Sequence, residues 1–370
     1  MGVTTTVYVA TALIASLAIG CALLLAGVVF LLLKRRNDKP DDGPTTQLAS
    51  HDSVAYHDIL ESHYGSLNLA EIALYRLPSA DITPLGLLAS GAMADVFLGD
   101  YNGAPVAIKQ LLSGQATTRH VSRLVDEIQL LALFDSSYIV ALVGVTWDRP
   151  LDLKCVLEYM DGGDLRDKLA RTNHTSYPWY EKLHCVLSVV EGLVYLHLLD
   201  IIHRDLKSRN VLLDDVKGAK LTDFDVSRHD TQATMTVGVG TYRWMAPEIL
   251  QFDHYSVAAD IYSFGMLLSE LDSHAIPYAG VISETSGKPL VETAIMGMVM
   301  TGSLRPTFTY TTPLWIQNLA SQCLAASPED RPSAMKVSSV VRQHLKEDRI
   351  QTPVQRRFEG NTKQIRTLFS

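Results

Sequence analysis

Cysteine is scarce in this sequence, with four residues in 370. Cys21, Cys155, Cys185 and Cys323 share no C-x-x-C or other close spacing, which excludes the usual zinc and disulfide frameworks. Charge is sparse too, at 19% of residues against 47% hydrophobic. Such an apolar composition excludes a disordered chain and provides ample material for a core. Positive charge is in deficit: 32 Lys and Arg face 40 Asp and Glu, a formal net charge of −8. That balance argues against nucleic acid as a partner, because a polyanion is repelled overall. No fixed-period self-similarity occurs, so solenoid, coiled-coil and collagen architectures are excluded. At roughly 100–200 residues per domain, the length fits one large or two ordinary domains.

The first 33 residues hold no charged side chain at all. Their most apolar part, Val7 to Leu33, has 27 residues, about 40 Å of helix at 1.5 Å per residue. A hydrocarbon core of about 30 Å can be crossed by that length with some tilt. Lys34, Arg35 and Arg36 follow immediately, which puts residues 37–370 in the cytosol and residues 1–6 outside. A cleaved signal peptide carries its charge before a shorter apolar run, so the pattern favours a transmembrane helix. The start Met1-Gly2-Val3-Thr4-Thr5-Thr6 also matches a myristoylation pattern, but an outward terminus escapes the cytosolic transferase. Ser16-x-x-x-Gly20 and Ala22-x-x-x-Ala26 are small-residue pairs suited to a homo- or hetero-dimer through the helix. The expected location is a membrane, the plasma membrane first, with the lipid bilayer as partner of residues 7–33.

Residues 34–81 read as a cytosolic juxtamembrane linker, polar at first and with Pro40, Gly43 and Pro44. Within 54–80, apolar spacing at Ile59, Leu60, Leu67, Leu69, Ile72, Leu74 and Leu77 predicts a short helix that Pro78 ends. Residues 82–345 are continuously globular. Strands are expected at Leu85–Leu88, Asp95–Tyr101, Pro105–Leu111, Val140–Trp147 and Leu153–Glu158, interrupted by a helix at Val121–Phe134. A longer helix at Tyr180–Leu199 follows from Leu183, Val186, Leu187, Val190, Leu193, Val194 and Leu196. The fold class is therefore α+β, a small β-rich lobe followed by a larger α-helical one. Residues 346–370, with six basic and three acidic residues, read as a flexible tail.

Two spans carry chemistry: Ile202-His203-Arg204-Asp205-Leu206-Lys207-Ser208-Arg209-Asn210, and Asp223-Phe224-Asp225 after it. Val106-Ala107-Ile108-Lys109 lies upstream and Ala246-Pro247-Glu248 downstream. In this order and spacing they resemble the protein-kinase signature set over residues 82–345, about 70% of the chain. Each residue alone has a plain reading: a strand lysine, a capping aspartate, a turn asparagine. Jointly they reproduce a signature.

The resemblance implies a two-lobed kinase fold that uses ATP with Mg²⁺, or Mn²⁺ in its place, and acts on protein substrates. Phosphoryl transfer needs charge neutralisation and in-line positioning. Lys109 would hold the α- and β-phosphates, steadied by Glu127, with Asp126 the neighbouring competitor. Asn210 and Asp223 are the hard oxygen donors that Mg²⁺ demands. Asp205 would orient the substrate hydroxyl and accept its proton, and Lys207 would steady the γ-phosphate. Leu88, Ala89, Ser90 and Gly91 would cover the nucleotide. Val96, Ala107 and Leu212 would sandwich the adenine, and the backbone of Glu158 and Met160 would bond its edge, with Leu157 as gatekeeper. His203 and Phe224 are expected to pack with Leu131 and Leu142 as a spine.

Lys207 and the run Gly240-Thr241-Tyr242-Arg243-Trp244-Met245-Ala246-Pro247-Glu248 resemble the tyrosine-kinase-like group, whose members mostly phosphorylate Ser and Thr. Thr241 would contact Asp205 and Lys207, Asp260 would brace the catalytic loop, and Arg331 would pair with Glu248. Phosphate on Thr231, Thr234 or Thr236 could pair with Arg204. Asn173-His174-Thr175 matches a glycosylation sequon, unused if it faces the cytosol.

Two departures stand out. Where the family has G-x-G-x-x-G, this chain has Ala89-Ser90-Gly91-Ala92-Met93-Ala94. Asp225 replaces the glycine after Asp223-Phe224, which could slow a conformational flip or perturb the metal. The expected function is a membrane-anchored Ser/Thr kinase; the alternative is a membrane-anchored pseudokinase that acts as a scaffold.

Overall fold

The structure is a computed structural model that describes residues 69–112, 116–224, 241–251, 255–283 and 287–347. The apolar segment 7–33, the linker up to residue 68, Asp225, Thr231, Thr234, Thr236 and the tail beyond 347 lie outside these residues. Among the described residues no helix is long and apolar enough to cross a membrane.

Five strands form an antiparallel sheet: β1 (Ile82–Ser90), β2 (Ala94–Tyr101), β3 (Ala104–Leu111), β4 (Leu142–Thr146) and β5 (Lys154–Glu158). Their order is β1-β2-β3-β5-β4. The pleat turns alternate side chains of β3 to opposite faces. Val106 and Ile108 join Val156, Phe97, Ile82 and Tyr101 in a small cluster on one face. Ala107, Cys155 and Leu157 belong to the main core on the other. Lys109 shares the parity of Ala107, and it reaches Glu127 on helix α1 (Thr118–Leu131). Thr117 caps α1, its side chain accepting the His120 N–H at 3.3 Å. Val121, Leu124, Val125, Ile128 and Leu131 form its buried stripe, at the helical repeat the sequence shows.

The short β6 (Gly163–Asp164) leads into α2 (Leu165–Arg171), and then α3 (Trp179–Leu198) follows. β6 pairs with β7 (Val211–Asp214), and β7 with β8 (Gly218–Leu221). Beyond these lie α4 (Pro247–Leu250), α5 (Val257–Ser273), α6 (Glu292–Met300), α7 (Leu314–Cys323) and a helix, α8, through residues 334–347. Helix α5 is buried from Ala259 through Asp272, as a helix apolar around most of its surface must be. A Cβ on Gly265 would stand 2.8 Å from Leu324 Cγ, so glycine is what lets α5 approach the end of α7.

The helix expected to end at Pro78 is corrected. Within its described part the chain forms two 3₁₀ turns, Ala73–Tyr75 and Ser79–Asp81, and Pro78 precedes the second. Ile72 is fully buried while Leu74 is 90% exposed, so these apolar residues do not share a helical face. Arg76 instead bridges in parallel to Val145, and the Leu77 N–H donates to the Val145 carbonyl at 2.8 Å, which draws the chain out along β4. Packing on the sheet thus begins before Ile82. The strands and the two expected helices, α1 and α3, fall within a few residues of their expected bounds.

Arg331 closes the helical part. Its buried guanidinium donates to both Glu248 oxygens at 2.6 and 2.7 Å, to the Ala258 carbonyl at 3.0 Å and to the Ala325 carbonyl at 2.9 Å. Removing one partner leaves the other charge buried. Arg331→Ala is expected to destabilise the protein by about 3–5 kcal/mol, read as a lower urea unfolding midpoint; a loss under about 1 kcal/mol would count against a core role for the pair.

Candidate active site

Lys109 is set by three strands. It pairs with Val96 on β2 and Cys155 on β5, and its side chain leaves the inner face of the sheet. Its ammonium stands 2.6 Å from Glu127 Oε1 and 2.9 Å from Asp223 Oδ1. Burial by itself would lower the lysine's pKa, but the charges of Asp223 and Glu127 outweigh it and push the value well up. Lys109 in turn holds the Asp223 carboxyl below the usual carboxylate range. Glu127, not Asp126, is the lysine's partner. The competitor Asp126 has a carboxyl pushed up by burial.

The second cluster is the loop before β7. The Lys207 ammonium donates to both Asp205 oxygens at 2.9 and 2.7 Å, and to Thr241 Oγ1 at 3.2 Å. Asn210 Nδ2 donates to the Asp205 carbonyl at 2.8 Å and to its Oδ2 at 2.9 Å. Asp260, in α5, is 1% exposed. It accepts the N–H groups of His203 and Arg204 at 2.8 and 2.9 Å, and contacts His197 Nε2 at 2.9 Å. Thr241 thus meets Lys207, one of the two partners expected for it. Arg204 lies 5.2 Å from the centre of the Tyr255 ring.

A metal fits the donor set. Asn210 spends its amide N–H₂ on Asp205, which leaves its oxygen as the remaining donor. Asp223 has a half-exposed side chain, and Lys109 engages its Oδ1. Two hard oxygens suit Mg²⁺, which keeps water and phosphate oxygens for its other positions.

Val96, Ala107, Leu157, Met160 and Leu212, the residues expected around an adenine, all lie in or against the main apolar cluster. Leu88 is 45% exposed. At the loop tip Ser90 pairs with Asp95, and the Ser90 hydroxyl donates to Asp95 Oδ1 at 2.6 Å. The Gly91 N–H donates to the Ala94 carbonyl at 2.9 Å. No residue from Ala89 to Ala94 has a positive φ.

The spine is present in part and extended. The His203 and Phe224 rings are 5.0 Å apart, and Phe224 meets Phe134 edge-on at 5.2 Å. Leu131 is buried in the same cluster and Leu142 packs against it. Sequence reasoning missed Phe134, which it assigned only as the end of a helix. It also missed the bracing of Glu158, whose carboxylate accepts the Ala141 N–H at 2.8 Å and the Lys220 ammonium at 2.6 Å. Lys217 donates to the neighbouring Tyr159 carbonyl. No motif spacing announces partners so distant in sequence.

With this geometry in view, known proteins provide a context. The pattern described as Protein kinase domain matches residues 83–341. The chain is similar to a probable serine/threonine-protein kinase of Dictyostelium discoideum, 32% identical over 257 residues, 69% of this chain and 27% of that protein. It is also similar to two serine/threonine-protein kinases of Arabidopsis thaliana. STY17 is 31% identical over 261 residues, and STY46 31% over 262; each match covers 70% of this chain and 44% of the relative. The chain therefore spans less than half the length of these relatives.

The Asp223–Lys109 pair makes a pH prediction. A carboxyl depressed on folding adds stability that is present above its ordinary value of 3.8 and lost as pH falls through the folded value. Lys109→Met removes the largest lowering influence, leaving the charges of His203 and Lys207 against burial, so the Asp223 carboxyl rises. The acid limb of divalent-metal binding is expected to move to higher pH in the variant, followed by carboxyl NMR. An unmoved limb would mean that Lys109 does not set the charge of Asp223.

Proposed function

This chain belongs to the protein kinase family, and from that premise we propose that it is a serine/threonine protein kinase. It would transfer the γ-phosphate of ATP to Ser or Thr hydroxyls of protein substrates. The observation that carries this reading is the joint presence of two assembled clusters: Lys109 with Glu127 and Asp223, and Asp205 with Lys207 and Asn210. A scaffold has no need of a carboxylate tied to a lysine and an asparagine beside a second charged triad, so the enzyme reading is favoured over the pseudokinase.

The roles follow from the chemistry. Lys109 binds the α- and β-phosphates, its position held by Glu127. Asp205 orients the substrate hydroxyl and takes its proton at a carboxylate oxygen. Lys207, already 2.7 Å from Asp205, offers positive charge where the transferred group becomes most negative. Asn210 and Asp223 would hold Mg²⁺, which neutralises phosphate charge when bound. Leu88, Ala89, Ser90 and Gly91 cover the nucleotide, and Glu158 and Met160 offer backbone groups to the adenine. Thr241 stands beside the acceptor position, and a phosphate on Thr231, Thr234 or Thr236 pairs with Arg204. The likeness of residues 240–248 to the tyrosine-kinase-like group supports Ser/Thr as acceptors. A helix over residues 7–33 anchors the protein in a membrane, with the kinase on the cytosolic side.

The test is phosphate transfer from Mg·ATP to myelin basic protein by the purified full chain. Asp205→Asn is expected to lower kcat by about 10²–10⁴-fold, the range for loss of a general base. Equal turnover by variant and wild type, or none by a folded wild type, would overturn the assignment. The anchor has its own check: deletion of residues 7–33 should move the protein from the membrane to the soluble fraction.

A further inference from the structure

One lysine of the helical part is buried with no counter-charge in contact. Lys182 lies near the start of α3 and has no exposed surface. Among the described residues its Nζ has no hydrogen-bond partner. Side chains of a helix lean toward its N-terminus. The ammonium accordingly stands 5.1 Å from the ring centre of Trp179, the first residue of α3, and 5.6 Å from that of Tyr177. Trp179 Nε1 is buried without a partner as well. The corner made by the end of α2, residues 172–178 and the start of α3 thus closes over an amine and bonds it to no acceptor.

The surroundings add to the cost of a charge there. From α2, the Lys168 ammonium stands 4.5 Å from the centre of the same Tyr177 ring, and among the described residues it pairs with no carboxylate. Helix α3 turns its positive end to the corner, and its N-cap, Pro178, supplies no side-chain acceptor. Glu181, the acid of that first turn, is exposed. From the end of α5, Asp272 draws on Lys182 at a distance. Its oxygens are taken by the Thr309 N–H and by the hydroxyls of Thr309 and Thr312. His274 turns Nδ1 to the Leu169 and Thr172 carbonyls, at 3.1 and 2.9 Å, and its ring meets that of His174 at 5.1 Å. Its Nε2 is unpaired. Cys185, one turn on along α3, contacts the Tyr177 hydroxyl. Ring faces attract an ammonium, yet they offset only part of the hydration lost on burial.

We propose that Lys182 makes this corner a pH-sensitive latch, shut over the neutral amine and driven to open when the amine takes up a proton. The ammonium gains water only if the Tyr177 and Trp179 rings part. The latch lies where α2 meets α3, and α2 in turn meets the catalytic loop, where Arg209 pairs with Asp164 and Asp167 at 3.0 and 3.4 Å. The inference does not rest on the kinase reading. Burial pushes the Lys182 amine from 10.5 down to about 8. A lysine depressed on folding subtracts from stability while it is protonated. The loss is complete below about 8 and is recovered as pH climbs toward 10.5. Burial also holds His274 below its ordinary range, and it pushes the Cys185 thiol up to about 12 and the Tyr177 hydroxyl well up. The pH window of the latch is therefore that of Lys182.

The experiment uses the full chain with ¹³C-labelled lysine and compares wild type with Lys182→Met and Lys182→Arg. Methionine fills the space without a charge, and arginine stays charged throughout. One lysine signal, absent from both variants, should titrate near 8 in wild type, well below the ordinary 10.5. At about pH 7, Lys182→Met is expected to unfold at a urea concentration about 0.5–1 M above wild type. That is the reverse of an ordinary core substitution. The gap should narrow by about half at about pH 9.5. Lys182→Arg should unfold below wild type, with a gap that widens at the higher pH. Amides in 172–182, corrected for intrinsic rate, should exchange about threefold or more faster in wild type than in Lys182→Met at about pH 7. A Lys182 signal in the ordinary lysine range overturns the latch. So do midpoint gaps that are equal at both pH values, or exchange in 172–182 that methionine leaves unchanged. If Lys182→Met fails to fold, the wild-type titration, with the signal assigned by Lys182→Arg, decides alone.

Discussion

The carboxylate of Asp260 sits inside the most buried helix and faces three donors from the chain that precedes β7. Two of them are consecutive backbone N–H groups, of His203 and Arg204. Arg204 has φ 70°, a left-handed conformation that costs an L-residue roughly 1–2 kcal/mol. Such a conformation persists only where its surroundings over-determine it, and here the two bonds to Asp260 do so. The turn they enforce aims Asp205 away from the core, where Lys207 and Asn210 close on it. It also holds the His203 ring against Phe224. Burial keeps His203 neutral, so its ring can serve as packing material. Asp223 precedes Phe224 and is itself left-handed, with φ 56°. A single buried carboxylate thus reaches, through contiguous contacts, the residue beside Asp223, one of the two carboxylates that face Lys109.

Lys109 answers from the other side. It ties β3, α1 and residue 223 in one cluster of a cation and two carboxylates. Burying charge is tolerable only when the partners are complete, since a lone buried ion costs several kcal/mol. The cluster therefore tests assembly. If α1 swung away, Glu127 would leave Lys109 short of a partner. The electrostatics that suit phosphate binding also make the helix position an energetic variable. Glu158 is braced differently, by Lys220 and the Ala141 N–H, so it is held by a neighbouring hairpin.

The parts legible in the sequence are those with short-range grammar. The alternation Val106-Ala107-Ile108-Lys109 sets which face the lysine takes, and the eighteen-residue step to Glu127 lands on the matching helix face. Asp205, Lys207 and Asn210 lie within six positions, so their network is close to a local property. Arg331 with Glu248 was reachable only through the resemblance, since 83 residues separate them. Phe134 and Lys220 were not legible. Each finds its partner through the fold, and neither stands in a distinctive pattern. The helix expected before Pro78 failed for a related reason: the Arg76 bridge and the Leu77 bond to β4 override a loose apolar spacing.

The glycine-poor loop shows how geometry can reverse the weight of a departure from pattern. Glycine is valued in such loops for positive φ and for close approach. Positive φ is not used between Ala89 and Ala94. Ala89 and Ala94 lie inside strands, paired with Val96 and Leu111, where alanine is unstrained. Close approach matters at one position, Gly91, where a Cβ would stand 3.1 Å from the Ala94 carbonyl oxygen. That is the glycine the chain retains. Alanine in place of glycine narrows the conformations available to the free chain, worth about 0.4–1 kcal/mol per site when the native φ permits it. The Ser90–Asp95 hydrogen bond narrows them further. The substitutions therefore narrow the conformations open to the free chain while leaving the loop's backbone course intact.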